Sequence, residues 1–585
     1  MKDLFLEKIK SLLSNNHLEE AISLCEDYIL KNKNNSEIYH ILGIILLKKE
    51  RLKESIYYLK IAASLDGANP KIFNNLGMAY FSYRIYDKAL HELSCAIRIN
   101  NSYYEAYNNR GVILKALGQY EEALENYNIS ISQNPNYSDA YFNKAIILDL
   151  LSRSQEAIKA YIKTISITPN HYKAYNNLGT IYEKLRNYKD ALKNYEKAIE
   201  IEPRFPEPYN NIGTIYKKLE RYPESIDNYN KAIILNSGYF EAYSNRAIVL
   251  RKLQKFDEAL EDYNSAIRLK SDFTEALVGK SEILLKLGNL SEGWRYYNYR
   301  FFQPSFHERY NKKKLFLKKE KVNKLIIWGE QGIGDQIYFL SYLINFSKFA
   351  KEVVLELDPR IIPLFQRYLK KIKINNVFLK SINEKPVEIF DFHLPLGSVP
   401  GFVKENNYIS TKNKYYFLSN GILIKKFFPK NNYKNIGISW KTLNKDEEYR
   451  NISLDLLSPI LDLEGINFFN LQFGNFNDLV EEYNNKKKKN NIISIKEIDN
   501  TNNLEDLSNL IFNLDAVVTI QNTTVHLSGA LGKKTFLLTS KDSRWMWGIS
   551  DKISKHYPAV EIFRQKEFND WNEQIAQVAQ KLKKI

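Results

Sequence analysis

A repeat of 34 residues starts at Lys2 and runs for nine copies to about His307, and this period constrains the fold more than any other feature of the 585-residue chain. Counting units from Lys2, Ser36, Pro70, Tyr104, Ser138, Tyr172, Pro206, Phe240 and Thr274, position eight is small from the second unit onward, from Gly43 and Gly77 to Ala247 and Ser281. Position twenty is also small in every unit, from Ala21 and Ser55 to Ala259 and Gly293. Two small positions twelve residues apart, with apolar residues at helical spacing between them, predict a pair of antiparallel helices in close approach. A hairpin of that kind cannot bury its apolar face alone, so consecutive units must stack on one another.

These positions resemble the tetratricopeptide repeat (TPR), and the resemblance implies an α-solenoid over residues 2–307. Aromatic residues recur at position four, as in Tyr107, Tyr141, Tyr175, Tyr209 and Tyr243, and read as packing between helices. Position six is Asn in six consecutive units: Asn75, Asn109, Asn143, Asn177, Asn211 and Asn245. Asn is a mediocre helix former, because its amide competes for backbone hydrogen bonds. A row of carboxamides offers donors and acceptors suited to an extended peptide backbone whose sequence need not be read. The row resembles the asparagine ladder of the TPR superhelix in O-GlcNAc transferase, which implies a polypeptide partner. Repeat duplication in an Asn-rich chain is the alternative origin.

The formal charge of +16 does not require nucleic acid, because the basic runs are short, at Lys312 to Lys314, Lys318 and Lys319, and Lys486 to Lys489. Cys25 and Cys95 fall at packing positions of the repeat, so neither a disulfide framework nor a cysteine metal site is expected. The charged N-terminus reads as a repeat helix rather than a signal peptide, and no apolar run approaches the ~18 residues of a membrane span. A cytoplasmic protein without a membrane span is the expectation.

After the ninth unit the register disappears. A polar stretch at 308–323 reads as a linker, and beyond it short β-rich runs alternate with helical patterns. The runs are Leu325–Trp328, Val353–Leu357, Asn376–Leu379, Ile436–Trp440, Phe468–Phe473, Ala516–Ile520 and Thr535–Leu538. Such alternation predicts two doubly wound, Rossmann-like domains, at 324–420 and 433–575, with a cleft between them.

Two segments can carry chemistry. The first strand runs into Gly329-Glu330-Gln331-Gly332-Ile333-Gly334-Asp335, a glycine turn that opens a helix but matches neither a dinucleotide fingerprint nor a Walker A loop. By position alone, Asp335 is a first-turn carboxylate. Later, Asp515 to Gly532 reads as a buried strand, a polar turn and a helix. Asn522, Thr523 and Thr524 stand at that helix's N-terminus, a natural anion site that could take a diphosphate.

Gly334-Asp335, Ser439-Trp440-Lys441, Asn470-Leu471-Gln472, Arg544-Trp545 and the turn before His526-Leu527-Ser528-Gly529-Ala530-Leu531-Gly532 together look like glycosyltransferase family 9, the heptosyltransferase group. More closely, the chain resembles bacterial proteins in which TPR repeats precede such a domain. The resemblance implies a GT-B fold, with the C-terminal half binding a nucleotide-sugar and the N-terminal half facing the acceptor. It implies Asp335 as general base, Gly332 and Gly334 in the acceptor loop, and Lys441, Gln472, Asn522, Thr523, Thr524 and His526 as donor-binding residues. No Asp-x-Asp motif occurs in the chain, in keeping with transfer that needs neither metal nor cofactor. One departure is Gln521-Asn522, where the group usually has Asp-Thr or Asp-Ser, which leaves ADP-heptose open as donor. Trp545 and Trp547 read as packing residues.

The leading expectation is a glycosyltransferase that holds a polypeptide acceptor along the TPR groove and transfers a sugar to it with inversion. A TPR interaction scaffold with a catalytically degenerate domain is the alternative. A third reading is an enzyme of surface-polysaccharide synthesis docked through its repeats.

Overall fold

The computed structural model describes residues 2–303, 306, 309–310, 315–316, 321–402, 415–421, 424–488 and 492–585. Two compact units divide the chain, Met1–Ser237 and Gly238–Ile585. In the first, fourteen helices among the described residues form seven hairpins. The 34-residue period fixes their ends. From the second hairpin on, first helices fill positions 1–13 of each unit and second helices positions 17–30, as in Tyr172–Lys184 and Tyr188–Ile201.

The small residues do what their spacing predicts. A Cβ on Gly179 would lie 2.7 Å from Cε1 of Tyr195 and one on Gly111 would lie 2.6 Å from Cε1 of Tyr127, so position eight gives way to the ring at position twenty-four. Ala89, Ala123, Ala157 and Ala191 at position twenty are fully buried. Ser55 and Ser225 at the same position donate to the carbonyls of Gly43 and Gly213, each at 2.7 Å. Between the helices, position fifteen takes a left-handed conformation throughout, and in this unit only Gly118 is glycine there. Glu50, Ser152 and Arg186 adopt φ of 58°, 59° and 60° against a local preference of about 1–2 kcal/mol. The packing of each hairpin overrides that preference.

The second unit joins the last two hairpins, Phe240–Leu269 and Thr274–Tyr297, to two parallel sheets. The first sheet contains β1 (Val322–Trp328), β2 (Ala350–Leu357), β3 (Val377–Ser381) and β4 (Phe392–Pro395), in the order β3-β2-β1-β4. The second contains β5 (Lys434–Ser439), β6 (Ile466–Asn470), β7 (Ile492–Ile493), β8 (Ala516–Ile520), β9 (Thr535–Thr539) and β10 (Val560–Arg564), in the order β10-β9-β8-β5-β6-β7. Both faces of each sheet are covered. Along β1, Leu325 and Ile327 join a large core that also holds Trp294, Tyr297, Leu355, Val525 and Leu527, whereas Ile326 and Trp328 pack with Tyr310 on the other face. On the second sheet, Val517 and Leu537 enter that large core, and Val518, Phe536 and Leu538 enter another with Trp440 and Ile575.

Two boundaries differ from the sequence reading. The period ends near His307, which lies outside the described residues, but compactness divides the chain at Ser237, because Trp294 and Tyr297 of the ninth repeat belong to the core of the sheets. The stretch 308–323 is also more than a linker where it is described. Tyr310 and Phe316 are buried, Arg309 pairs with Glu356 at 2.6 Å, and Val322 already opens β1. The remainder of the 308–323 stretch, at 308, 311–314 and 317–320, lies outside the described residues, as do residues 403–414 of the expected first Rossmann-like half.

Candidate functional site

In each sheet the strand order reverses beside a loop that the sequence singles out. Open parallel sheets bind ligands in the crevice at such a switch point, beyond the carboxyl ends of the strands. In the second sheet the reversal lies between β5 and β8, paired from Ile436 with Ala516 to Ser439 with Thr519. The loops leaving these strands carry Lys441 and Gln521-Asn522. In the first sheet it lies between β1 and β4, and β1 runs into the glycine turn.

That turn is held in place from several sides. Gln336 folds over Gly329, donates to the Gln331 carbonyl at 2.9 Å and accepts from the Asp358 amide at 3.0 Å. Arg300, near the end of the ninth repeat, donates to Glu330 at 2.6 Å, and Gln331 donates to the Tyr297 hydroxyl at 2.8 Å. Asp335 follows in the first turn of the Ile333–Leu340 helix. A Cβ on Gly334 would lie 3.0 Å from Cδ2 of His526, so this glycine lets the helix meet the Thr523–Ala530 helix closely.

The result is a cleft of about 400 Å³ whose lining includes Gly332, Gly334, Asp335, Lys441, Arg450, Asn522, Thr523, His526 and Arg544. Seven of the nine predicted catalytic, acceptor-loop and donor-binding residues therefore come together, and two do not. Gln472 is 1% exposed; its oxygen accepts from Ser439 Oγ and from the amides of Trp440 and Lys441, while its nitrogen donates to the carbonyls of Lys441 and Phe473. It braces the loop that presents Lys441. Thr524 is fully buried and its hydroxyl donates to the Leu471 carbonyl at 3.2 Å. Asn522 reaches the cleft, but its amide caps the Thr524 N–H at 3.0 Å and donates to Ser439 Oγ at 2.6 Å, so it positions the turn.

The cleft is cationic. Lys441, Arg450 and Arg544 line it against one carboxylate, Asp335, and the positive end of the Thr523–Ala530 helix dipole opens onto it. The Lys441 ammonium lies 5.5 Å from the Phe476 ring centre and makes no ion pair among the described residues. His526 accompanies this charge as a neutral ring, because burial, and then Arg544 and His556, push its pKa down to about 3. Its Nδ1 lies 3.1 Å from the Tyr557 hydroxyl. Gln521 is 6% exposed, and neither end of its carboxamide has a hydrogen-bond partner among the described residues.

Arg544 is the functional residue that reading the sequence missed as a site member. Its Nη1 donates to Oδ1 of Asp335 at 2.9 Å across 209 residues of sequence. The signal was available as a polar turn, Lys541-Asp542-Ser543-Arg544, leaving a buried parallel strand. Gly332, Asp335, Arg450 and Arg544 also line a second cleft of about 480 Å³, whose other wall holds Arg251, Glu282 and Lys286 from the last two repeats. Trp545 packs edge-on against Trp294 at 5.1 Å and borders the second cleft, and Trp547 is 1% exposed at the edge of the first.

The asparagine row is partly spent on packing. In the first unit, Asn109, Asn143 and Asn211 donate to the buried Asn74, Asn108 and Asn176 of the preceding repeat at 2.9, 3.0 and 3.1 Å, and Asn177 donates to the Tyr161 hydroxyl at 3.3 Å. Asn75 pairs with His40 at 2.8 Å. Each of these five residues is half-buried, as is Asn245 in the second unit. The oxygens of Asn75, Asn109, Asn177 and Asn211 also accept from the preceding Asn, so the row is first a tie between repeats, with part of each carboxamide accessible.

A tetratricopeptide-repeat family model matches residues 104–137, 172–205, 206–239 and 240–273, in the register of the helices, and a second one matches 126–159. The chain carries tetratricopeptide repeats. Protein FlbA of Caulobacter vibrioides is 26% identical over 292 residues, 44% of this chain, and the match spans 46% of that protein, less than half its length. Among solved structures, MamA is 27% identical over 28% of this chain and 95% of its own, with a TM-score of 0.26. YrrB, described as a TPR protein with an unusual peptide-binding site, is 23% identical over 32% of this chain and 95% of its own, also with a TM-score of 0.26. No helix among the described residues is long and apolar enough to cross a membrane.

Proposed function

We propose that this TPR protein is a glycosyltransferase of GT-B type, transferring a sugar from a nucleoside-diphosphate donor to a polypeptide held by its repeats. The observation that supports this reading most is the meeting of Asp335, Lys441, Thr523 and His526, drawn from three separate segments of the chain, in one cationic cleft at the carboxyl ends of parallel strands. Lys441, Arg544 and the N-terminus of the Thr523–Ala530 helix would receive the diphosphate. An acceptor hydroxyl would enter from the second cleft, beside Arg251 and Lys286, and meet Asp335 where the clefts adjoin.

In the reaction, the acceptor oxygen forms a bond to the anomeric carbon as the bond from that carbon to the diphosphate breaks. The electron pair departs with the diphosphate. The hydroxyl proton passes to Asp335, and attack opposite the leaving group inverts the centre. Charge growing on the diphosphate meets cations already in place.

The scaffold reading has one feature in its favour, the neutral Gln521 in place of an acidic side chain. A panel of nucleotide-sugars screened by thermal shift separates the two. A true donor at 100 times its dissociation constant should add ~2.7 kcal/mol of stability. If no member of the panel stabilises the full chain, the transferase reading fails and the scaffold stands.

A further inference from the structure

Resting on the transferase reading, we propose that Arg544 is shared between the base and the donor. It holds Asp335 while the cleft is empty and moves onto the diphosphate when a nucleotide-sugar binds, so that Asp335 is released for the acceptor only when there is a sugar to transfer.

The geometry carries this in three steps. First, a carboxylate oxygen that accepts from a guanidinium at 2.9 Å is not open along that lone pair to an acceptor hydroxyl. Asp335 is 17% exposed and thus confined in how it can turn away, whereas Arg544 is 37% exposed. Second, Arg544 lines both clefts, on a backbone that is fixed. Gln254 donates to the Lys541 carbonyl at 2.8 Å, Lys286 pairs with Asp542 at 3.2 Å, and Arg564 bonds Ser543 and, at 2.9 Å, the Trp547 carbonyl. The loop stays while its long side chain can swing. Third, a planar guanidinium meets a phosphate with two parallel hydrogen bonds, and a diphosphate among Lys441, Arg450 and a helix N-terminus is the stronger competitor for it.

Binding of ADP, GDP, UDP and dTDP to the full chain, measured calorimetrically for wild type, R544Q, D335N and the double variant, tests the idea. With Arg544 shared, D335N removes the competing carboxylate charge and tightens nucleoside-diphosphate binding about fivefold, R544Q weakens it about tenfold, and D335N adds nothing in the R544Q background. If R544Q does not fold, R544K takes its place; it keeps the charge without the fork and should weaken binding about threefold. Should D335N tighten binding as much without Arg544 as with it, plain charge repulsion explains the gain and the sharing is wrong. Unchanged affinity in R544Q or R544K overturns it as well. Both of those failures leave diphosphate binding, and hence the transferase reading, in place. If wild type binds none of the four, that reading falls and takes the inference with it.

Discussion

Individual residues in the second unit set how it responds to acid. His526 is buried and His556 half-buried, and desolvation pushes both pKa values from 6.5 down to about 3. Between those limits the unfolded chain binds protons that the folded chain does not, so stability is fully present above about pH 6.5 and falls as the pH is lowered towards 3. Each imidazole should remove about 2 kcal/mol by pH 5. All six tryptophans lie between Trp294 and Trp571, so their fluorescence in denaturant follows this unit alone. Wild type should lose markedly more stability from pH 7 to pH 5 than the H526Q/H556Q variant. Equal losses would mean that the two rings do not stay neutral in the folded state.

At the level of elements, legibility followed burial. The nine unit starts read from the period coincide with the first residue of each hairpin's first helix, because the period recurs and small residues mark each close approach. The central strands showed as continuous apolar runs, since both their faces are covered. The three unread strands, β4, β7 and β10, are all sheet edges. β4 is four residues ending in proline, β7 is two residues long, and β10, Val-Glu-Ile-Phe-Arg, carries charges at its second and last positions, features that an edge tolerates better than a centre. The site was legible where a motif stands next to a strand, at Asp335, Lys441 and Thr523. It was not legible where a side chain's role depends on a distant partner, as with Arg544 on Asp335 or the saturated amide of Gln472. The ties of the asparagine row go to polar residues at position five of the preceding repeat, His40, Asn74, Asn108 and Asn176, a second recurring position that the sequence reading passed over. Replacing Asn143, Asn177 and Asn211 by Ala should cost about 1 kcal/mol for each lost tie and should also abolish capture of extended peptides by the immobilised full chain. A lower melting temperature with unchanged capture would make the row structural only.

Considered as a whole, the chain combines an array of tetratricopeptide repeats with a parallel-sheet region in which two adjoining clefts share Asp335, Arg450 and Arg544. The last two repeats are the shared part: they brace the Glu330-Gln331 turn through Arg300 and Tyr297, and they fix the Arg544 loop through Gln254 and Lys286. The last two repeats and the candidate base are therefore mechanically joined within one compact unit. The central claim is that Asp335 moves a proton during sugar transfer. It is tested most directly by release of nucleoside diphosphate from the nucleotide-sugar that stabilises the chain best, compared between wild type and D335N with the same peptide mixture. The account predicts turnover by wild type and a rate lower by about 10²–10⁴ in D335N, with the donor still bound. Equal rates in the two proteins, or no release by wild type from a donor it binds, would contradict it.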